Sequence, residues 1–306
     1  MPIVRDLNQL PETARGGAVA IGNFDGVHLG HLRIVHRLLE RAQEVGGPAI
    51  VFTFDPHPVM LLRPDECPPP LTWTERKAEL LAQHGVYKII AYPTDERLLQ
   101  LTAQQFFDEI VRDALDAKAM VEGPNFFFGH NREGNVERLG QMTQAAGITL
   151  DVVEPYELAG QLVSSSRVRR LIAEGDVSLA AELLSAPYRI RGMVTHGAGR
   201  GSKLGFATAN LEAVDTLLPK EGVYAGRAWV NSSVHPAAIS LGPNPTFGEG
   251  HLKVEVHLLD YEATLYGQPL EVEFLARLRD IVAFDSQEDL IVQLKRDIGQ
   301  VRDITG

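Results

Sequence analysis

The sequence has 306 residues, which is long for one ordinary domain and suits two. Its formal net charge of -11 argues against wholesale binding to nucleic acid or to an anionic membrane, because both need a basic face. A hydrophobic content of 44% suits a folded soluble protein, and the single cysteine, Cys67, excludes an intrachain disulfide and indicates a reducing cytoplasm. No apolar run approaches the roughly 18 residues of a membrane span, and the N-terminal segment has no signal-peptide core, so we expect neither.

Up to about residue 160 the chain alternates between strand-like and helix-like segments. The strand-like segments are AVAIG (18–22), AIVFTF (49–54), YKIIAY (87–92), KAMVEG (118–123) and ITLDVV (148–153). Helical patterns such as HLRIVHRLLERAQ (31–43) lie between them, and Thr72 with Glu75 and Thr102 with Gln105 form capping boxes. This alternation predicts crossover units and a doubly wound parallel α/β sheet. Ligands of such sheets bind at the carboxyl ends of strands, where the glycine-rich segments after residues 22 and 122 fall.

The pattern changes after Pro187. Two short helices are predicted within 164–185, the second capped by Asp176. Beyond them, short β-rich segments separated by Gly, Pro and Asn predict an antiparallel sheet or a small barrel, followed by a helix that Ser286 and Asp289 cap. We therefore place a domain boundary near 186, giving domains of 1–186 and 187–306.

The decapeptide GNFDGVHLGH (22–31) joins the first of these strands to a helix. A glycine-rich connection of this kind presents backbone N–H groups and a helix N-terminus to phosphates. It is neither the GxGxxG of a dinucleotide fold nor a P-loop, since it has no lysine. His28 and His31 are placed to reach an α-phosphate, which favours nucleotide chemistry over a tight turn with two surface histidines.

A second basic feature is SSSRVRR (164–170), where a helix begins. Serines suit a helix cap, but Arg167, Arg169 and Arg170 in its first turns oppose the helix dipole, and a bound anion such as a triphosphate would relieve that cost. A solvated basic turn is the alternative.

Taken in order, these segments resemble a known enzyme family. GNFDGVHLGH, FDPHP, EGPNFFFGHNREG and SSSRVRRLIAEGDVSLAAELL are similar to the adenylyltransferase half of prokaryotic bifunctional riboflavin kinase/FAD synthetases. GSKLGFATANL, GVYAG, SLGPNPTFG, VEVHLLD and LYGQPLEVEFLARLR resemble its kinase half. The resemblance implies a Rossmann-like nucleotidyltransferase α/β/α domain and a C-terminal antiparallel β-barrel of riboflavin-kinase type with a terminal helix. It also implies two reactions: riboflavin and ATP give FMN and ADP, and FMN and ATP then give FAD and pyrophosphate.

The resemblance implies roles for individual residues of the adenylyltransferase half. His28 and His31 would stabilise charge on the transferring α-phosphorus, and Pro56 and Pro58 would form the wall of the flavin pocket. Ser164, Ser165 and Arg169 would hold the leaving pyrophosphate, with Ser166 in place of the family's threonine. The remaining nucleotide-binding residues would be Gly22, Asn23, Phe24, Asp25, Gly26, Gly30 and Asn125.

In the kinase half, the resemblance implies that Thr208 and Asn210 hold magnesium and phosphate and that Glu255 is the catalytic base. Gly199 and Lys203 would bind nucleotide, and Arg279 would lie near the flavin. The family's Pro-Thr-Ala-Asn reads Ala207-Thr208-Ala209-Asn210 here, so proline's restriction of this loop is missing. ATP and Mg²⁺ are the implied substrate and cofactor, FMN and FAD are products, and the expected partners are these small molecules.

Without the resemblance, the pattern around these kinase residues leaves other interpretations open. Glu255 alternates with buried positions in LKVEVHLL, and the pattern alone favours a solvated carboxylate on an exposed strand face. Thr208 and Asn210 equally suit a polar loop that caps its own backbone.

Two other functions remain open at this stage. The first is a nucleotidyltransferase for another phosphate acceptor, such as phosphopantetheine or nicotinamide mononucleotide, with the β-rich half as a binding module. The segment GSKLGFATANL with Glu255 speaks against it. The second is a non-catalytic flavin or nucleotide sensor, which the net acidity and the lack of a helix-turn-helix pattern disfavour.

Overall fold

The computed structural model describes residues 3–197, 201, 204–244 and 249–306, so the predicted nucleotide ligands Gly199 and Lys203 lie outside the described residues. The chain forms two compact units. The first comprises residues up to 68 together with 73–164, and the second comprises 69–72 together with 165–306. Within the described residues, no helix combines the length and the apolar character that crossing a membrane requires.

The first unit is built on a six-stranded, all-parallel sheet. Its strands are β1 (Ile3–Val4), β2 (Ala18–Ile21), β3 (Ala49–Asp55), β4 (Lys88–Pro93), β5 (Ala119–Glu122) and β6 (Thr149–Val152). Its helices are α1 (Leu29–Val45), α2 (Pro58–Leu62), α3 (Thr74–Gln83), α4 (Glu96–Gln100), α5 (Ala103–Phe106) and α6 (Val136–Ala146), with π-helical turns over Phe107–Ala114. A two-stranded ribbon, β7 (Glu157–Leu158) and β8 (Gln161–Leu162), precedes Ser164.

The order of the strands, β1-β4-β3-β2-β5-β6, confirms the doubly wound prediction. Residues Ala18–Ile21 and Ala49–Thr53 are buried on both faces, as expected for parallel strands covered by helices on each side. The order of the strands reverses between β2 and β5, which is where ligands of such sheets bind. The glycine-rich segments that follow these two neighbouring strands therefore leave the sheet side by side.

The second unit is a closed barrel preceded by two helices and followed by a terminal helix. Its helices are α7 (Ser165–Glu174), α8 (Val177–Leu183) and the terminal helix (Gln287–Thr305). Its strands are β9 (Arg189–Thr195), β10 (Ala209–Glu212), β11 (Gly222–Val230), β12 (Ser233–Asn244), β13 (Glu249–Leu258) and β14 (Pro269–Arg279). They pair antiparallel in the order β10-β13-β12-β11-β14-β9, and β9 closes the barrel on β10. Closure leaves no edge strand, so the barrel alternative of the prediction is confirmed.

Helix starts test the local predictions directly. Thr102 and Gln105 form the predicted reciprocal capping box, and Asp176 and Ser286 cap their helices as predicted. α3 begins at Thr74, and its N-cap position is Trp73, one residue after the predicted Thr72, with no capping bond from the Trp73 side chain. The Thr74 hydroxyl donates to Asp55, 2.9 Å away, so a tertiary contact lies in the first turn.

Candidate active sites

The decapeptide that follows β2 has a constrained backbone. Phe24 and Val27 have φ angles of 46° and 43°, a region that bulky and β-branched residues rarely adopt, and Gly26 lies at 83°. Each non-glycine residue held there costs about 1–3 kcal/mol, and such residues cluster at functional sites. Surrounding contacts must therefore hold this loop in place, as a binding loop requires.

The two histidines of this loop form one stacked pair. Their ring centroids are 3.6 Å apart with an interplanar angle of 17°. Nδ1 of His28 accepts the backbone N–H of His31 at 3.3 Å and so caps α1, which puts the proton of a neutral His28 on Nε2. A side chain at Gly30 would place its Cβ 3.1 Å from the His28 ring, so glycine lets this ring lie over the helix start.

The environment of His31 disfavours its charged form. Burial, the neighbouring His28 and then Lys77 lower the pKa of His31 well below its usual value, so its imidazole is neutral near pH 7. Its Nδ1 is buried and has no hydrogen-bond partner among the described residues. A neutral imidazole stabilises a developing negative charge by donating a hydrogen bond, because it carries no positive charge of its own.

Lys77 is a buried cation beside this loop that the sequence analysis missed. It is only 7% exposed, and its Nζ lies 3.4 Å from the Thr53 hydroxyl, which in turn donates to the carbonyl of Asn23. Burial lowers the pKa of Lys77, while Asp25 and Asp55 act in the opposite direction. Its spacing of three and four residues from the buried Leu80 and Leu81 was the available signal, since that places Lys77 on the buried face of α3.

A side-chain contact joins the decapeptide to the FDPHP segment. Nδ2 of the Asn23 side chain lies 2.8 Å from Nε2 of His57, while Nδ1 of His57 accepts the N–H of Val59 and caps α2. This pair links the predicted nucleotide loop to the predicted wall of the flavin pocket.

The other predicted residues of the first unit lie on loops that follow strands of the sheet. Pro56 follows β3 directly, Pro58 opens α2, and both are partly buried. Asn125 is exposed in the turn after β5, the strand beside β2. Carboxyl-end loops of neighbouring strands thus hold the two histidines, the two prolines and Asn125.

The predicted pyrophosphate-binding residues fall at the junction of the units. Ser164 ends the first unit, whereas Ser165 opens α7 in the second, and Arg169 follows one turn later. Nε of Arg169 donates to the carbonyl of Pro69, 2.9 Å away within the second unit. Their position relative to a nucleotide at the histidines remains a prediction.

A cavity of about 400 Å³ in the second unit brings together the described residues of the predicted kinase site. Thr208, Asn210, Glu255 and Arg279 all line it. Glu255 on β13 is directly opposite Asn210 on β10 and Ser240 on β12. Glu255 is partly buried and lies at the wall of this cavity, which argues against the solvated-face alternative.

Two described glycines before β10, Gly197 and Gly201, lie close to the predicted ligands. A Cβ at Gly197 would overlap the side-chain amide of Asn210, and one at Gly201 would lie 3.6 Å from the Thr208 hydroxyl. The side chain of Asn210 leaves no space for a Cβ at position 197, so this position requires glycine. The reason is steric, since the φ angle of Gly197 is not positive.

Gly197→Ala is accordingly expected to lower riboflavin phosphorylation by about 10²-fold, the usual cost of a misplacement near 1 Å in an active site. Adenylyl transfer in the other unit should keep its wild-type rate. Steady-state rates of both reactions from one preparation give the measurement. Gly299→Ala in the terminal helix is the matched control, since a Cβ there meets open space. Equal kinase rates in both variants would contradict the role of this packing.

Arg279, the predicted flavin-side residue, is held by a buried carboxylate. Asp297 of the terminal helix is 1% exposed, and it accepts Nε and Nη2 of Arg279 at 3.1 and 2.8 Å and Nε2 of Gln293 at 2.8 Å. The two hydrogen bonds from its guanidinium to one carboxylate fix the orientation of the Arg279 side chain. The sequence analysis placed the terminal helix but missed Asp297, which falls within its apolar stripe of Leu290, Leu294, Ile298 and Val301.

Comparison with known proteins covers both units. The family model for FAD synthetase matches residues 10–167, and the model for riboflavin kinase matches residues 184–305. A bifunctional riboflavin kinase/FMN adenylyltransferase of Pseudomonas fluorescens is 36% identical over 99% of this chain and 97% of its own length. The protein of that description from Escherichia coli is 32% identical over 100% of this chain and 98% of its own.

A solved structure matches the chain over almost its full length. It is a crystal structure described as a macrolide-efflux protein from Streptococcus pneumoniae, with a TM-score of 0.86, 30% identity and coverage of 98% of each chain. The two family models together match most of the chain, and the curated relatives match it over nearly its full length. This chain therefore belongs to the bifunctional riboflavin kinase/FMN adenylyltransferase family.

Proposed function

We propose that the chain makes FAD from riboflavin in two steps, with the kinase step at the barrel cavity and the adenylyl transfer at the stacked histidines. The observation that carries the second assignment is the stacked pair of imidazoles at the N-terminus of α1, at the point where the strand order reverses. Family membership of the whole chain supports the sequence of the two reactions.

Adenylyl transfer requires little acid–base chemistry. The nucleophile is a phosphate oxygen of FMN, which is mostly ionised near pH 7 because the second pKa of a phosphomonoester is about 6. It forms a bond to the α-phosphorus of ATP, the bond from that phosphorus to the bridging oxygen breaks, and pyrophosphate leaves. The site must therefore position two anions and stabilise charge on the reacting phosphoryl group.

The residues of the first unit suit that task. His28 and His31 donate hydrogen bonds to the α-phosphoryl oxygens, and the loop residues Gly22–Gly26 with Gly30 let the nucleotide lie on the backbone. Asn125 contacts the phosphates, while Ser164, Ser165 and Arg169 hold the departing pyrophosphate. Pro56 and Pro58 form a wall of the flavin pocket. The exposed apolar side chains that follow them on α2, Met60, Leu61 and Leu62, would extend this wall.

In the kinase step the nucleophile is an alcohol, so a base is useful. Glu255 takes the proton of the terminal ribityl hydroxyl as its oxygen attacks the γ-phosphorus of ATP, and ADP leaves. Arg279, which lines the cavity and is held by Asp297, would contact the flavin.

The donor set at Thr208 and Asn210 fits Mg²⁺ held jointly with a nucleotide. Both supply neutral oxygens, which bind Mg²⁺ weakly unless phosphate oxygens complete the coordination. Among the described residues there is no cluster of three or more His, Cys, Asp or Glu side chains that could hold a metal alone. Mg²⁺ would neutralise charge on the phosphates, and Gly199 and Lys203 would complete the nucleotide site.

The two activities are assigned to residues 1–186 and 187–306. The family matches, 10–167 for the first activity and 184–305 for the second, support two successive domains, and the second match begins three residues before the proposed boundary at 187. The single cysteine supports a cytoplasmic location.

Chromatography of products tests the assignment. Purified protein with riboflavin, ATP and Mg²⁺ is expected to accumulate FMN first and FAD later, with FAD also formed from supplied FMN. Phosphopantetheine and nicotinamide mononucleotide offered with labelled ATP test the other acceptors. Tight riboflavin binding without turnover would instead favour the sensor.

A further inference from the structure

Glu122, the last residue of β5, is a buried carboxyl group that the mechanism above does not use. It is 2% exposed, and among the described residues its one hydrogen-bond partner is the backbone N–H of Ile21, which donates to Oε1 at 2.9 Å. Burial raises the pKa of Glu122 well above its usual value, only partly offset by the Ile21 N–H. A buried carboxyl group therefore contacts the backbone immediately before the decapeptide.

The geometry of the strands explains why a side chain is needed there. β2 and β5 pair only at Ala18–Ala119 and Val19–Met120. β2 remains paired with β3 as far as Ile21, and β5 remains paired with β6 as far as Glu122. The two central strands thus separate at their carboxyl ends, so the N–H of Ile21 no longer reaches a backbone carbonyl of β5. The side-chain carboxyl of Glu122 spans this gap and accepts that N–H.

The exit of the decapeptide from the sheet is consequently held from both sides. On the β3 side the N–H of Gly22 donates to the carbonyl of Phe52 at 2.9 Å. On the β5 side the anchor is the side chain of Glu122 on the N–H of Ile21. Phe24 and Val27, with their positive φ angles, follow within six residues, so the direction set at Ile21 is carried into a constrained turn that ends at His28.

We propose that Glu122 is a positioning residue for adenylyl transfer: by accepting the Ile21 N–H it sets the direction in which Gly22–His31 leaves the sheet, and so the placement of His28 and His31. The proposal rests on the assignment of adenylyl transfer to these histidines. In this role the carboxyl group acts only as a hydrogen-bond acceptor. Glutamine at position 122 should therefore preserve the function, and an apolar residue of similar length should not.

The experiment compares full-length Glu122→Gln and Glu122→Met. We expect Glu122→Gln to keep kcat for FAD formation within about twofold of wild type. We expect Glu122→Met to lower this kcat by about 10²-fold, the usual cost of misplacing a catalytic group by about 1 Å, with riboflavin phosphorylation unchanged. The imidazole NMR signals of His28 and His31 should shift in Glu122→Met and stay in place in Glu122→Gln.

Met120→Ala is the matched control for packing. Met120 is fully buried on the same strand, and its truncation destabilises the core while leaving the Ile21 acceptor intact. An equal loss of kcat in Met120→Ala at similar thermal stability would assign the effect to packing and overturn the proposal. A wild-type kcat in Glu122→Met would also overturn the proposal. So would a Glu122→Gln variant that loses as much kcat as Glu122→Met.

A shorter acid keeps the test decisive if Glu122→Met does not fold. Glu122→Asp retains the carboxyl but withdraws it from Ile21 by one methylene, so kcat should fall, and an unchanged kcat would contradict the proposal. The assignment of the reaction is judged separately: a wild-type enzyme that forms FAD and a His31→Ala variant that does not would retain it whatever Glu122 does.

Discussion

A variant carrying His28→Ala and His31→Ala is expected to accumulate FMN and to lose FAD formation. Removing one preorganised donor to a developing charge usually costs about 10²–10³ in kcat, and loss of both should bring FAD formation below detection. Riboflavin phosphorylation should continue at its wild-type rate, because Glu255, Thr208 and Asn210 lie on the separate barrel. Chromatography of both products over time gives the measurement.

The controls separate the imidazoles from the helix start. His28 also caps α1, and loss of a cap costs about 0.5–2 kcal/mol in stability. His28→Asn with His31→Ala keeps a capping side chain and should lose FAD formation equally. His36→Ala removes an exposed imidazole from the same helix and should change nothing. Loss of both activities in the double variant would contradict independent sites.

Glu255→Gln is expected to lower kcat for FMN formation by about 10²–10⁴, the usual worth of a positioned base. Glutamine keeps the size of the side chain and its hydrogen bonding beside Asn210 and Ser240, but it cannot take a proton. FAD formation from supplied FMN should be unaffected. Pre-steady-state rates of FMN formation at saturating ATP and riboflavin isolate the chemical step.

Glu262→Gln is the matched control for that variant. Glu262 is exposed at the same cavity, so its change removes one negative charge there without touching the strand that carries Glu255. We expect its FMN-forming kcat to stay near wild type. A wild-type kcat in Glu255→Gln would return Glu255 to the role of a solvated strand residue, and equal losses in both variants would indicate a general charge effect.

The local elements of this protein could be predicted from its sequence because their causes are local. Apolar runs such as AIVFTF predict buried parallel strands. Helix caps are equally local, because Thr102, Asp176 and Ser286 each accept a hydrogen bond from the backbone N–H three residues later. The candidate residues on the decapeptide and around Thr208 could likewise be proposed from the sequence, since their spacing is itself the signal. The start of α3 lies one residue later than the Thr72 cap predicts, and there the Thr74 hydroxyl contacts Asp55, 19 residues away, which local spacing does not show.

The sequence by itself determined the two-part organisation, the parallel and antiparallel classes, and the candidate residues of both sites. Only the tertiary structure decided the charge states of these residues and the hydrogen bonds that hold them in position. Burial beside His28 and Lys77 makes His31 a neutral donor, and Asp297 fixes Arg279 from a helix 18 residues away. The splitting of β2 from β5 gives Glu122 its partner, Ile21, 101 residues earlier. Charge state and hydrogen-bond partner depend on which distant residues exclude water and approach within about 3 Å, and linear spacing does not encode that.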